Sequence, residues 1–163
     1  MEPLRAPDAE ESVDDRFGRF YEEHRDWAIR LAWLLTHNAV EAEDVVQDAF
    51  TKVFERFDRL DRPAAYLRTV VVHRVYERSR SKRREDLRLA LVHNGMATTI
   101  DGPTGGLVDA IANLPLQQRT AVVLRYWGGL DDTDIASTMS VRGGTVRSLL
   151  SRATSQLRKE ITR

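Results

Sequence analysis

Cysteine is absent from the chain, which excludes disulfides and thiolate metal sites. The four histidines are scattered without metal-ligand spacing, so neither a metal nor a cofactor is expected. Long apolar runs are missing too. The longest, Trp27-Ala28-Ile29 and Leu31-Ala32-Trp33-Leu34-Leu35, is interrupted by Arg30 and is far too short to span a bilayer, so no membrane insertion is expected. Met1-Glu2-Pro3-Leu4 opens no basic segment followed by an apolar core, so no signal peptide is expected and the protein should be cytoplasmic. No stretch reads as a strand, no segment repeats, and no Gly-rich phosphate loop is present. Neither charge is in excess, with 25 basic and 25 acidic residues. With 42% hydrophobic and 31% charged residues, the 163-residue chain suits a folded soluble protein of one ordinary or two small domains.

The zero net charge hides a segregation. Residues 1–64 hold 16 acidic and 9 basic residues, whereas residues 65–90 hold 3 and 8. Residues 91–134 turn acidic again, with 5 against 2, and residues 135–163 hold 1 acidic and 6 basic residues. Two basic segments inside an acidic chain suit a protein that grips a polyanion at two places and something else with its acidic faces. The acidic segments repel the same backbone, so binding to DNA alone should be weak.

Helical periodicity dominates. Phe17, Phe20, Tyr21, Trp27, Ala28, Leu31, Leu34 and Leu35 mark one helix face. Asn38 offers an N-cap with Glu41 as its capping-box partner, ahead of Ala42, Val45, Val46, Ala49, Phe50, Val53, Phe54 and Phe57. Pro63 opens a third helix, apolar nearly all round at Tyr66, Leu67, Val70, Val71, Val72 and Val75, and ending in Arg78, Arg80, Lys82, Arg83 and Arg84. His93-Asn94-Gly95 and Asp101-Gly102-Pro103-Thr104-Gly105-Gly106 are linker chemistry. The predicted fold is therefore all-α, with a helical domain over 14–85, a flexible linker over 86–106, and a second helical domain over 107–163. In the latter, Leu107–Asn113 is a brief helix, and Pro115 starts another that ends at Gly128-Gly129. Asp131 caps a third, with Asp134 at its N3 position, and a tight turn at residues 140–144 leads to a fourth.

The last two helices make a helix-turn-helix. At about 100° per residue, Val146, Leu149, Leu150, Ala153 and Leu157 share one face of the final helix, while Thr145, Arg147, Ser148, Ser151 and Arg152 share the other. Two guanidinium groups and three hydroxyls are the inventory for bonding phosphates and reading base edges. The plainer reading is a solvated amphipathic helix; the acid-poor, hydroxyl-rich outer face argues against it. In the third helix Arg74, Arg78 and Lys82 form an i, i+4, i+8 stripe, with Tyr66, His73 and Tyr76 interleaved. Cations along a backbone and flat rings for unstacked bases suit melted DNA; an ordinary basic helix end is the alternative. Glu41, Glu43, Asp44, Gln47 and Asp48 make the second helix acidic. They read as a protein-docking face, a solvated face, or paired carboxylates for catalysis. No partner histidine or metal motif supports the last.

Phe20-Tyr21-Glu22-Glu23-His24, Glu41-Ala42-Glu43-Asp44-Val45-Val46-Gln47-Asp48-Ala49-Phe50 and Ala65-Tyr66-Leu67-Arg68-Thr69-Val70 resemble region 2 of the extracytoplasmic-function sigma factors of bacterial RNA polymerase. Leu114-Pro115-Leu116-Gln117-Gln118-Arg119, Leu124-Arg125-Tyr126-Trp127-Gly128-Gly129-Leu130, Asp134-Ile135-Ala136 and the stretch from Gly144 to Ala153 resemble region 4 of the same family. The resemblance covers roughly residues 14–84 and 107–161, in the family's order and spacing. It implies a non-enzymatic sigma factor that binds core RNA polymerase, through the β′ clamp helices and the β flap, and opens promoter DNA. Glu43, Asp44, Gln47 and Asp48 would dock on the clamp helices. Tyr66, Arg68, His73, Arg74, Arg78 and Lys82 would engage the −10 element, and Arg142, Thr145, Arg147, Ser148, Ser151 and Arg152 the −35 element. Members of the family are often held by an anti-sigma protein, so such a partner stays open. One departure stands out. Arg142 replaces the small capping residue usual in the family, which removes capping worth about 1 kcal/mol and offers a phosphate contact instead. The rival reading is a stand-alone helix-turn-helix regulator that binds duplex DNA and uses its acidic domain to dimerise or bind a ligand. A helical enzyme using Glu43, Asp44 and Asp48 is a third.

Overall fold

Helix boundaries follow the capping chemistry of the sequence. The computed structural model describes residues 11–92 and 106–162, all helix and connecting turns. Helix α1 (Val13–Thr36) starts where Ser12 Oγ accepts the Asp15 amide at 3.1 Å, with Asp14 and Asp15 facing the positive end of the dipole. It stops at His37, which takes the left-handed conformation (φ 51°) and donates its amide to the Trp33 carbonyl at 2.7 Å. Helix α2 (Ala39–Phe54) is capped by Asn38 Oδ1 on the Glu41 amide at 3.0 Å, as expected. The reciprocal half of the expected capping box is not formed. The Asn38 amide bonds to Thr36 Oγ1, and the Glu41 carboxylate turns away to Lys82.

Helix α3 (Pro63–Val92) runs past residue 85, where the linker was expected to begin; residues 93–105, with the expected Gly- and Pro-containing linker segments, lie outside the described residues. The second unit holds α4 (Leu107–Ala112), α5 (Leu116–Val122), α6 (Asp132–Met139) and α7 (Gly143–Ile161). The helix opened by Pro115 is not uniform. After α5 it widens into π geometry over Val123–Trp127, with the Gly128 amide on the Val123 carbonyl at 2.9 Å. A Cβ at Gly128 would sit 2.8 Å from the Leu124 carbonyl oxygen, and Gly129 has φ 67°, so both glycines are required by the exit from this turn. Asp131 Oδ1 caps α6 on the Asp134 amide at 2.8 Å. Arg142 gives α7 no side-chain cap, yet the helix begins directly behind it, with the Thr145 and Val146 amides on the Arg142 carbonyl at 2.9 and 3.2 Å.

Helices α1, α2 and α3 pack on one another, and α7 packs on α4, α5 and α6. The two units pack against each other. One cluster of buried side chains runs from Phe20, Leu31, Val45, Val53, Leu67 and Val71 into Leu124, Ile135, Met139 and Val146. Burial of such side chains stabilises by about 1.5–3 kcal/mol each. Helix α3 explains the join. Leu67, Val71 and Val75 lie on the side packed by α1 and α2, whereas α6 packs on α3 from the second unit. The apolar character of α3 all round reflects this two-sided cover.

Candidate nucleic-acid interface

The outer face of α7 is built as its sequence requires. Val146, Leu149 and Ala153 are buried, and Arg142, Thr145, Arg147, Ser148, Ser151 and Arg152 are all exposed. Among the described residues, none of the three arginines forms an ion pair. The turn before α7 places Ser140 in the left-handed conformation (φ 56°), a position usually given to Gly or Asn.

The basic residues of α3 behave differently. Arg78 reaches across to α2, 3.5 Å from Asp44 and 3.4 Å from Asp48, while Lys82 pairs with Glu41 and Arg74 with Glu77 at 3.0 Å. The stripe and the acidic face, expected to act separately, are thus joined edge to edge. Partly exposed pairs such as those of Arg74 and Arg78 are worth about 0.2–1 kcal/mol each. A phosphate or a partner side chain therefore exchanges with them at small cost. Glu43 and Gln47 point the other way, into a groove of about 510 Å³ between α1 and α2. Phe17, Ile29, Val46 and Phe50 line it, and Tyr21 and Phe54 remain 37% and 48% exposed at its edge. Tyr21 and Phe54, expected on the core face, instead cluster with Phe17 and Phe50 around an aromatic groove.

The expected −10 residues do not share one surface. At about 100° per residue, Arg74, Arg78 and Lys82 fall on the α2 side of α3, His73 and Tyr76 fall on the opposite side, and Arg68 lies between them, about 40° from Lys82. Arg68 and His73 both meet the second unit. Arg68 Nε donates to Thr138 Oγ1 at 3.3 Å, and His73 Nε2 lies 3.2 Å from Ser140 Oγ. Tyr66 is half-buried against the core. The Tyr76 hydroxyl is buried without a hydrogen-bond partner, and burial pushes its pKa up to about 12, opposed only in part by the neighbouring Thr120 hydroxyl.

Arg119, which the sequence reading did not single out, ties this junction together. Its guanidinium donates to the Leu35 carbonyl at the end of α1, to the Ala112 carbonyl at 2.6 Å and to the Leu114 carbonyl at 3.0 Å. It thereby caps orphan carbonyls at the C-terminal ends of two helices from two units. Trp27 and Trp127 stack nearby, with ring centroids 5.5 Å apart and planes inclined by 22°. The His37 ring lies beside Arg119 with both nitrogens buried and unpartnered. Burial first, and then Arg119, lower its pKa below the ordinary 6.5, while Asp109 opposes them. The folded state thus favours neutral His37. Its contribution is complete above pH 6.5 and is lost as pH falls from there through the lowered native value. His37→Asn, which keeps a residue tolerant of the left-handed conformation, should lose less stability than wild type between pH 7.5 and 5.5 in thermal denaturation. Equal acid losses would show that His37 does not carry this term.

Among the described residues no three His, Asp or Glu side chains are placed to hold a metal, and no helix is long and apolar enough to cross a membrane. The family model for sigma-70 region 2 matches residues 20–85, and that for sigma-70 region 4 matches residues 105–157. The RNA polymerase sigma-E factor of Streptomyces coelicolor is 29% identical over 151 residues, covering 89% of this chain and 85% of that protein. The ECF RNA polymerase sigma factor SigL of Mycobacterium tuberculosis is 30% identical over 149 residues, covering 85% and 84%. In fold, the sigma factor RpoE of Bartonella quintana, solved with the anti-sigma factor NepR, matches with a TM-score of 0.71 at 23% identity, over 90% of this chain and 97% of that one. With both family models falling in order on the two helical units, and full-length relatives of one kind, the chain belongs to the extracytoplasmic-function group of the sigma-70 family.

Proposed function

We propose that this sigma factor uses three faces in starting transcription. The α2 face of Glu43, Asp44, Gln47 and Asp48, with the aromatic groove beside it, docks on the β′ clamp helices of core RNA polymerase. The second unit meets the β flap. Tyr66, Arg68, His73, Arg74, Arg78 and Lys82 on α3 serve the −10 element, and Arg142, Thr145, Arg147, Ser148, Ser151 and Arg152 serve the −35 element. The observation that carries the reading is α7: six exposed polar residues, three of them arginines outside any ion pair among the described residues, on a helix whose other face is core. That surface suits a polyanion with base edges. The protein acts in the cytoplasm and performs no chemistry of its own. Because the Bartonella quintana RpoE was solved with an anti-sigma factor, a protein covering the same faces is a candidate partner here. The stand-alone regulator is not favoured, since the acidic first unit matches sigma-70 region 2.

The docking face has a direct test. Asp44→Arg combined with Gln47→Ala reverses one exposed charge and removes one exposed amide, with Val45, Val46 and Ala49 still committed to the core. Like-charge contact at an interface costs several kcal/mol. Capture of core polymerase should fall at least about tenfold with helical content unchanged by circular dichroism. Undiminished capture would remove this face from the proposal.

A further inference from the structure

Two rows of cations run along α3. Arg74, Arg78 and Lys82 are each held by a carboxylate, that of Glu77 or those of α2. Arg80, Arg83 and Arg84 lie on the other side of the helix, about 200° around at about 100° per residue. Among the described residues no ion pair includes any of these three, and Arg84 only donates to Ser81 Oγ at 3.4 Å. We propose that Arg80, Arg83 and Arg84 grip the phosphates of the duplex between the −10 and −35 elements, whatever its sequence. The proposal rests on the assignment of α3 to the −10 element and of α7 to the −35 element.

The first support is exposure. Every residue from Arg80 to Leu91 is exposed, so this end of α3 stands clear over about 18 Å at about 1.5 Å per residue. The three arginines line an open groove of about 480 Å³ with Glu77, Ser81 and Leu87. Glu77, the one acid among them, is committed to Arg74. Side chains three and four residues apart on a helix are about 5–6 Å from one another, so the guanidinium groups form a row that follows a charged backbone. The second support is what the row lacks. Residues 80–91 hold no Phe, Tyr, Trp or His, so unstacked bases find no ring to lie on and melted DNA is poorly served. The third is place. The expected −10 residues Tyr66, Arg68 and His73 occupy earlier turns of α3, and behind its end the chain passes through residues 93–105 to the unit that carries α7. The row therefore sits where the first unit gives way to the −35 reader. DNA on that side of the melted segment is double-stranded.

The test uses holoenzyme carrying Arg80→Ala, Arg83→Ala and Arg84→Ala together, and two DNAs. One is a promoter with elements selected from a random library and an intact duplex between them. The other is a single-stranded oligonucleotide bearing the −10 element alone. Binding to the promoter should fall about tenfold at low salt, and its salt slope should drop by about 2–3, near 0.9 for each lost contact. Binding to the oligonucleotide should stay as in wild type. Replacing all three by Lys should keep most of the affinity, because charge alone meets a phosphate. Unchanged affinity and slope on the promoter would overturn the proposal. An equal loss on the oligonucleotide would place the row on the melted strand and overturn it too. So would a Lys variant that alters the ranking of spacer sequences, since the row would then read bases. Weaker capture of core polymerase by the Ala variant would give the row to an acidic protein surface, again against the proposal. A wild-type holoenzyme indifferent to both elements would instead remove the underlying assignment, and the proposal with it.

Discussion

Arg119→Ala is expected to lower the stability of the chain by about 3–5 kcal/mol and its thermal midpoint by about 10 °C. One guanidinium serves three carbonyls, those of Leu35, Ala112 and Leu114. Each belongs to a helix end or turn that has no other donor supplied by the periodic backbone. Hydrogen bonds to a charged donor contribute about 1.5–3 kcal/mol each, and partial access of water after truncation offsets some of the loss. Arg119→Lys should rescue less than half of it. A single ammonium lacks the planar fork that meets three carbonyls at once. Chemical denaturation of the three proteins, with matching far-ultraviolet spectra at zero denaturant, measures both effects. A loss below about 1 kcal/mol would mean that solvent replaces the guanidinium, and the account of the junction would be wrong.

The second large effect concerns promoter reading by α7. Arg147 and Arg152 are exposed opposite Val146, Leu149 and Ala153, so truncating them leaves the core intact. A lost bidentate contact with guanine costs about 1–3 kcal/mol, roughly 5- to 150-fold, and relaxes preference at one position. A lost phosphate contact weakens all sequences alike and reduces the salt slope by about one. Arg147 lies in the first turns of the helix, the end that enters the major groove in helix-turn-helix proteins. Arg147→Ala is therefore expected to change the ranking of −35 variants. Arg152→Ala, a turn further along, is expected to lower activity across all of them, with a smaller salt slope. Transcription from a −35 library at two salt concentrations separates the cases. Unchanged ranking with both variants would reduce α7 to a backbone anchor.

Local chemistry was legible in the sequence because its determinants lie within a few residues of one another. Asn38 and Asp131 cap as their side chains dictate, Gly128-Gly129 ends a helix, and the two faces of α7 fall where a period of 3.6 puts them. What escaped was decided between distant residues. The pairing of Arg78 with Asp44 and Asp48 joins positions 30 or more apart, and Arg119 meets Leu35 across 84. Periodicity shows which face of a helix is apolar, not which element covers it. Helix α3 carried the sign of its two-sided burial in being apolar nearly all round, but nothing local distinguishes a second helix layer from a binding groove. The π turn at Val123–Trp127 and the left-handed His37 and Ser140 also defied the local rules, since packing rather than propensity fixes them. Of the residues expected at the −10 element, Arg78 and Lys82 therefore pair with α2, whereas Arg68 and His73 meet the second unit.

Run-off transcription with purified core polymerase on a linear template bearing −35 and −10 elements selected from a random library tests the central claim most directly. Core polymerase alone should give end-to-end and non-specific transcripts. Addition of the chain should give one start site set by the selected elements, and the product should vanish with Asp44→Arg combined with Gln47→Ala and move to other templates with Arg147→Ala. A chain that binds the template but leaves the pattern made by core polymerase unchanged would contradict the account.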